Sequence, residues 1–296
     1  MIRELILSSC AIGLTSCASN PPNDREPAML GVGTISTETP EFAYTASELD
    51  GAFFNRIIEG EQIHIWQILP GETEARKVSF SDHRYSDLDP HLSPLGDRLY
   101  FSSDRPRPGA LSDAPEDDMN TWYMALSDKG WGDPIYLGEH VNSLSDEVFV
   151  SEDTNGVLYF ARFGDGEGRA RPTTIMSAKR SGDGFLPAEP ILTKPAQFRL
   201  SNPAISPDGR WLVAASRRAP ELGPDLFIAV RLDDNSWSEF KPIPTPVNTN
   251  GSAEFAPGFS SDGYVLFFTS DRTGNREIYQ YPVNAILDDM FPTRRR

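Results

Sequence analysis

Apolar residues along this chain gather in short dense runs, each opening just after a turn glycine, and the runs return roughly every 50 residues. Aligned on that glycine, the copies are Gly96 (SPLGDRLYFSSDR), Gly156 (DTNGVLYFAR), Gly209 (SPDGRWLVAASRR) and Gly263 (SSDGYVLFFTSDR), with a weaker copy at Gly51 (ELDGAFFNR). A turn of this type needs positive φ at glycine and side-chain hydrogen bonding at Asp and Ser, and it joins two strands as a hairpin. Beyond each turn lie the β-branched and aromatic stretches 99–101, 157–160, 211–213 and 265–268, which read as buried middle strands.

A third strand of alternating character follows each hairpin, at 63–66, 121–125, 174–178, 225–229 and 277–281. A fourth is marked by an aromatic, a proline and then an aliphatic: Trp131, Pro134 and Leu137; Phe185, Pro187 and Ile191; Trp237, Pro242 and Ile243. Four antiparallel strands in each unit of about 50 residues is the size of a propeller blade. The pattern therefore predicts an all-β protein, a β-propeller of four-stranded antiparallel blades, with very little helix.

The last unit runs out near Val283 without an aromatic-proline strand of its own, so something else must cover its edge. The strand-like piece 29–36 (MLGVGTIS) is expected to supply it. This gives five blades from residue 40 to 296. Six would require a unit hidden within 53–80 or 104–120, and neither stretch is long enough.

Ahead of the blades, the apolar stretch 5–14 ends in Leu14, Thr15, Ser16 and Cys17, which resembles the lipobox of bacterial lipoproteins. On that reading residues 1–16 are a signal peptide, Cys17 carries the lipid, and 17–39 form a Pro- and Asn-rich tether that includes the closing strand. Ala18 in place of Asp favours sorting to the outer membrane, facing the periplasm. Cleavage would leave Cys17 as the last cysteine, since Cys10 lies in the signal, and no disulfide could form. No other segment approaches the apolar run that a membrane span requires.

The 27 basic residues against 43 acidic ones give a net charge of −16, which disfavours nucleic acid as a partner. Part of the acid sits in the stretch 104–120, at Asp113, Glu116, Asp117 and Asp118, where a solvated loop is the simpler reading than a cation site. The four histidines, His64, His83, His91 and His140, are scattered without ligand spacing, and the surface or strand-packing role outweighs a metal site built from His83 and His91. No Gly-x-Ser-x-Gly elbow or phosphate-binding glycine loop occurs; GFSSDG is the hairpin turn. No cofactor is expected.

The repeats resemble the TolB-type, WD-like β-propeller family. Pro203, Ser206, Pro207, Asp208 and Gly209 carry its motif in one unit; Ser270, Asp271, Arg272, Gly274, Asn275, Ile278 and Tyr279 in another; and Pro90, Ser93, Pro94, Ser103, Asp104 and Arg105 in a third. Trp131, Pro134, Leu137, Gly138, Val141, Asn142, Ser143 and Glu147 look like the linking pattern of repeats that accompany OmpA-like peptidoglycan-binding proteins. The resemblance covers about residues 85–283 and implies the fold, whereas members range from envelope interaction platforms to propeller caps on serine peptidases and, occasionally, polysaccharide-degrading enzymes.

Three residues before the signature position of successive units stand Asp87, Glu147, Leu200 and Glu254. In a propeller the first strand of each blade lines the axis, so Asp87, Glu147 and Glu254, with Asp89 and Asp146 nearby, are candidates to face one another at one mouth. Converging carboxylates would suit cation binding or the acid and base of a glycosidase. The competing reading, which the composition favours, makes each acid a cap on its own strand, bonded to backbone amides or to an arginine of a Ser-Asp-Arg turn. The functional expectation is a lipid-anchored, non-catalytic, monomeric propeller that binds an envelope protein or a peptidoglycan-associated partner; the alternative is a carbohydrate-active enzyme or sugar-binding propeller working at the channel acids.

Overall fold

The computed structural model describes residues 25–165, 171–192, 199–217 and 222–291. The signal segment 1–16 and Cys17 lie outside the described residues. After β1 (Ala28–Met29), the first blade is β2 (Glu41–Ser47), β3 (Gly51–Arg56), β4 (His64–Ile68) and β5 (Arg76–Lys77). The second holds β6 (Asp87–Leu92), β7 (Arg98–Ser103), β8 (Asn120–Ser127), β9 (Gly130–Trp131) and β10 (Ile135–Tyr136). The third holds β11 (Glu147–Glu152), β12 (Val157–Phe163), β13 (Thr173–Ser181), β14 (Gly184–Phe185) and β15 (Glu189–Pro190). The fourth is β16 (Ser201–Ile205), β17 (Trp211–Arg217), β18 (Pro224–Val230) and β19 (Lys241–Pro242); the fifth is β20 (Glu254–Phe259), β21 (Val265–Ser270) and β22 (Glu277–Pro282). One helix follows, α1 (Val283–Met290).

The hairpin turns form as their chemistry dictates. In blade four, Gly209 has φ of 70°, the Ser206 hydroxyl donates to Asp208 at 2.5 Å, and the Trp211 N–H donates to Ser206 Oγ at 2.9 Å. At Gly51 the constraint is also steric, because a Cβ there would lie 2.0 Å from the carbonyl oxygen of Ile68.

Each second strand is apolar on both faces because each face meets a different blade. Leu99 and Phe101 pack with Phe53 and Ile65 of blade one, whereas Tyr100 joins Leu158 and Phe160 of blade three. Tyr159 then packs with Leu212 and Ala214 of blade four, and Val213 packs with Leu266 and Phe268 of blade five. The ring closes as Phe54 of blade one packs on Ile278 of blade five.

The fifth blade takes its outer strand from β1, whose Ala28 and Met29 pair with Gln280 and Tyr279, and the Leu30 N–H extends the pairing to the Ile278 carbonyl at 2.8 Å. The closing strand is thus shorter than the expected 29–36 and starts one residue earlier. Gly31 and Gly33, with φ of 56° and 80°, turn the chain away from the edge, and Ile35 drops into the seam between blades five and one. Helix α1 also spans a seam: Val283 and Ile286 are buried between blades four and five, and Phe291 stacks on Trp211 at 5.3 Å.

One regular feature has no signature in composition. Every inner strand carries a left-handed residue at the same place, Ala43, Asp89, Phe149, Asn202 and Ala256, with φ between 46° and 57°, and the register of each inner hairpin shifts there. Such residues cost about 1–3 kcal/mol each and persist only where the surroundings fix them. Here the strand bends at a bulge as it reaches the crowded axis.

Phe160 is fully buried between blades two and three. Phe160→Ala is expected to lower the unfolding free energy by about 3–5 kcal/mol, read from urea denaturation. A loss under 1 kcal/mol would mean that the inter-blade clusters do not carry the fold.

Candidate functional site

The inner strands run side by side along the axis, so each end of the propeller collects equivalent residues from the blades. At the start of these strands lie Glu41, Asp87, Glu147 and Glu254, all fully buried. Each accepts hydrogen bonds from two directions. A hydroxyl in the preceding link comes first: Thr37 to Glu41 at 2.6 Å, Ser81 to Asp87 at 3.2 Å, Ser143 to Glu147 at 2.6 Å, Thr249 to Glu254 at 2.9 Å. An arginine at the end of the second strand or just past it comes next: Arg56, Arg105, Arg162 and Arg272, at 2.8, 2.6, 2.6 and 3.4 Å. Those arginines lie over Phe54, Phe101, Phe160 and Phe268, with distances of 5.1–5.8 Å to the ring centres.

Burial raises the pKa of all four carboxyls, against the lowering pull of these hydroxyl and arginine partners. Asp104 and Asp271 of the Ser-Asp-Arg turns accept the Ser86 and Ala253 N–H groups at 2.8 and 2.7 Å, which pins the residue ahead of each inner strand. Asp146 is bonded to Arg171 and accepts the Met119 N–H at 2.8 Å. Asp87, Glu147 and Glu254 thus each sit in a separate latch within their own blade and its preceding link, and none of them lines the cavity at the other end of the inner strands.

That cavity, of about 590 Å³, opens at the opposite end of the inner strands. It is a funnel made by the exits and first hairpin turns of the blades. Glu48, Asp50, Asp97, Asp128 and Glu152 line it, without a lysine or arginine in the lining. Asp50 and Asp97 accept the hydroxyls of Ser47 and Ser93 at 2.9 and 2.7 Å. On the floor, Glu152 pairs with Arg180 at 2.5 Å, and Arg180 also donates to the Tyr100 hydroxyl at 3.1 Å. The Glu152 N–H donates to His91 Nε2 at 3.0 Å, which makes that nitrogen the acceptor and leaves the ring proton on Nδ1. Burial holds the His91 pKa down at about 4, so the imidazole is neutral.

Below His91 the axis narrows to a space of about 30 Å³ that shares His91, Ile205 and Phe259 with the funnel. Asp89 lines this space. It is 4% exposed, it accepts the Phe149 N–H from the next blade, and its Oδ1 has no partner. Burial pushes its pKa up to about 8, so it stands as a neutral acid at pH 7. The equivalent Asn202 does the same job for blade five, accepting the Ala256 N–H at 3.4 Å.

Sequence reasoning placed interest on the carboxylates at the wide-apart starts of the strands and missed the funnel. Its walls come from turns and strand ends of five units far apart in the chain, although two positions along the same repeat alignment Asp89 and Asn202 share a column. His83 lies exposed beside Asp82, away from His91, and no group of three or more His, Cys, Asp or Glu among the described residues could hold a metal ion. The acidic stretch 104–120 is partly neutralised: Arg107 within it pairs with Glu116 and Asp118, both at 2.6 Å, and Arg84 ahead of it pairs with Asp113 at 2.5 Å.

Two outcomes test this assignment. Arg162→Met leaves Glu147 buried without its cation and is expected to cost about 3 kcal/mol of stability, with Glu147→Gln milder. Asp89 has a folded pKa raised above its unfolded one, so its contribution to stability is full below about pH 4 and declines as pH rises toward 8, where it is lost. Asp89→Asn lacks that decline. Urea unfolding at pH 5, 7 and 9 is expected to show the variant gaining on wild type between pH 5 and 8, and a gap that does not change with pH would reject the buried neutral acid.

No protein-family model matches the chain, and no curated protein matches it. Among solved structures it is similar to a thermostable family-43 glycoside hydrolase, at 10% identity, with 84% of this chain and 90% of that one covered and a TM-score of 0.55. It is also similar to TolB from Agrobacterium tumefaciens, at 16% identity, 79% and 71% coverage and a TM-score of 0.48. TolB from Acinetobacter baumannii follows at 13% identity, with 84% of this chain but 55% of that one covered, and a TM-score of 0.49. At these identities the likeness is one of fold: the chain is a five-bladed β-propeller of four-stranded antiparallel sheets.

Proposed function

We propose that this protein is a lipid-anchored, non-catalytic propeller of the bacterial cell envelope that serves as an interaction platform, held by Cys17 to the outer membrane and facing the periplasm. The observation that carries the reading is the funnel. It is wide and open, its rim carries Leu49 and Leu95 at 86% and 76% exposure, and the acids at the other end of the axis are already consumed in structural latches. Exposed aliphatics beside a concave polar site are the ordinary anatomy of a surface that receives a protein. The lipobox motif at 14–17 supports the anchor, and no helix among the described residues is long and apolar enough to cross a membrane. The partner is an envelope protein or a peptidoglycan-associated one.

A carbohydrate-active reading has one observation in its favour: the axis holds two acids, Asp89 and Glu152, whose pKa values burial raises, and glycoside cleavage employs a pair of acids. Against it, Glu152 is tied to Arg180, and Asp89 sits in a space of about 30 Å³, too small for a sugar ring.

Cys17→Ala is expected to abolish labelling by radioactive palmitate and to move the protein from the membrane fraction to the soluble periplasm. Unchanged labelling would remove the anchor. In a pull-down from native envelope with a glycan-binding screen alongside, wild type is expected to retain a specific protein that Leu49→Ser with Leu95→Ser loses, while Glu147→Ala with Glu254→Ala lowers stability. Glycan turnover at the funnel would overturn the platform in favour of an enzyme.

A further inference from the structure

The funnel is unbalanced in charge and in polarity, and both imbalances point to one kind of ligand. Five acids line it with no lysine or arginine among the lining residues, in a chain whose net charge is −16. The rim adds Leu49 and Leu95, and the equivalent turn of blade five adds Tyr264 at 72% exposure, so three adjacent blades, five, one and two, each present an apolar side chain at this end. Beyond His91, Ile205 and Phe259, which line both the funnel and the axial space, Asp89 offers a buried oxygen with no hydrogen-bond donor.

Resting on the platform reading, we propose that the funnel receives a peptide segment of the partner in which a lysine is flanked by aliphatic residues, the cation directed down the axis toward Asp89 and the aliphatic neighbours seated on Leu49 and Leu95. The rim acids attract the approaching cation from a distance and raise the association rate, as clefts of one sign do. The axial space has the volume of a water or an ammonium head, and the funnel above it, at about 590 Å³, holds several side chains. A bare inorganic cation would leave the apolar rim unused, and an anionic lipid surface would be repelled by the acids.

Binding is linked to a proton. Asp89 is neutral in the free protein and becomes a carboxylate when a cation arrives, releasing its proton to solvent, so the affinity for the cation rises as pH rises through about 8. The other titratable groups facing the axial space are Tyr44 from β2, which burial keeps neutral above that range, and His91 from β6, neutral above about pH 4. Strand β11 supplies the Phe149 N–H, and the residues of β16 and β20 in the lining do not titrate. Glu152, behind His91, is held by Arg180.

The test is to pan a random heptapeptide display library on the full-length protein in detergent, then to measure a synthetic copy of an enriched peptide by fluorescence anisotropy. The expected result is enrichment of lysine beside leucine, isoleucine, valine or phenylalanine. Replacing the basic residue by glutamine is expected to weaken binding about tenfold, and wild-type affinity to rise severalfold from pH 6.5 to 8.5. Asp89→Asn, checked as folded by its unfolding transition, should lose that rise, and Leu49→Ser should lower affinity at every pH. Asp117→Asn, exposed on the loop of blade two at the other end, should leave binding as in wild type. Enrichment of acidic or uncharged peptides, no enrichment at all, or a pH rise that survives in Asp89→Asn overturns the inference; the first of these leaves the platform standing. Oligosaccharide binding at the funnel in a parallel glycan screen overturns the platform itself.

Discussion

A ring of sheets leaves no blade with a face of its own in water, and the remainder of this molecule follows from that. Because the second strand of each blade is pressed between two neighbours, its residues alternate between partners and not between core and solvent: Leu99 and Phe101 look one way, Tyr100 the other. Polar side chains are then excluded from the sheet interiors and displaced to the two ends of the strands and to the axis. Any chemistry the protein performs on other molecules has to be located there.

The axis is the tightest part of the ring, and the inner strands answer it with the same bulge five times. A left-handed residue in a strand leaves its neighbours' N–H groups out of register, and a buried N–H without a partner is costly. Asp89 and Asn202 meet that need by reaching to the adjacent blade, with Asn55 Oδ1 accepting the Asp89 N–H at 2.7 Å. The five equivalent positions are filled by two alanines, a phenylalanine, an amide and one acid. The pseudo-symmetry of the fold is broken by a single carboxyl, which lies at the base of the funnel.

The blade count and the middle strands were legible in the chain because a period of about 50 residues with dense apolar runs has few other physical solutions. The outer strands were legible in kind, although several pair over just two residues. The closing strand was legible as a need, since a bare edge on blade five had to be covered, but its extent was set by Gly31 and Gly33 and by the burial of Ile35, which a run of apolar letters does not reveal. Glu41 escaped notice because Tyr44 stands in blade one where blades two, four and five have Pro90, Pro203 and Pro257, so the alignment that found Asp87 and Glu254 had no anchor there. The funnel could not be read at all: its acids come from turns whose proximity exists only after the ring has closed.

What separates the acids at the two ends of the axis is the supply of partners, not residue type. At the start of the inner strands an arginine stacked on a phenylalanine arrives from the end of the second strand, and a hydroxyl arrives from the preceding link, so a buried carboxylate there is neutralised on the spot. Blade four varies the rule within the same molecule: Leu200 replaces the acid, and Arg217 donates to the carbonyl of Leu222. At the far end the funnel lining holds no lysine or arginine, and among the described residues Glu152 is the one of its five acids in an ion pair, with Arg180 of the third strand, while Arg98 at the start of β7 also draws the Glu152 pKa down against burial. Negative charge therefore accumulates at one mouth, and it is the mouth that the latches do not reach.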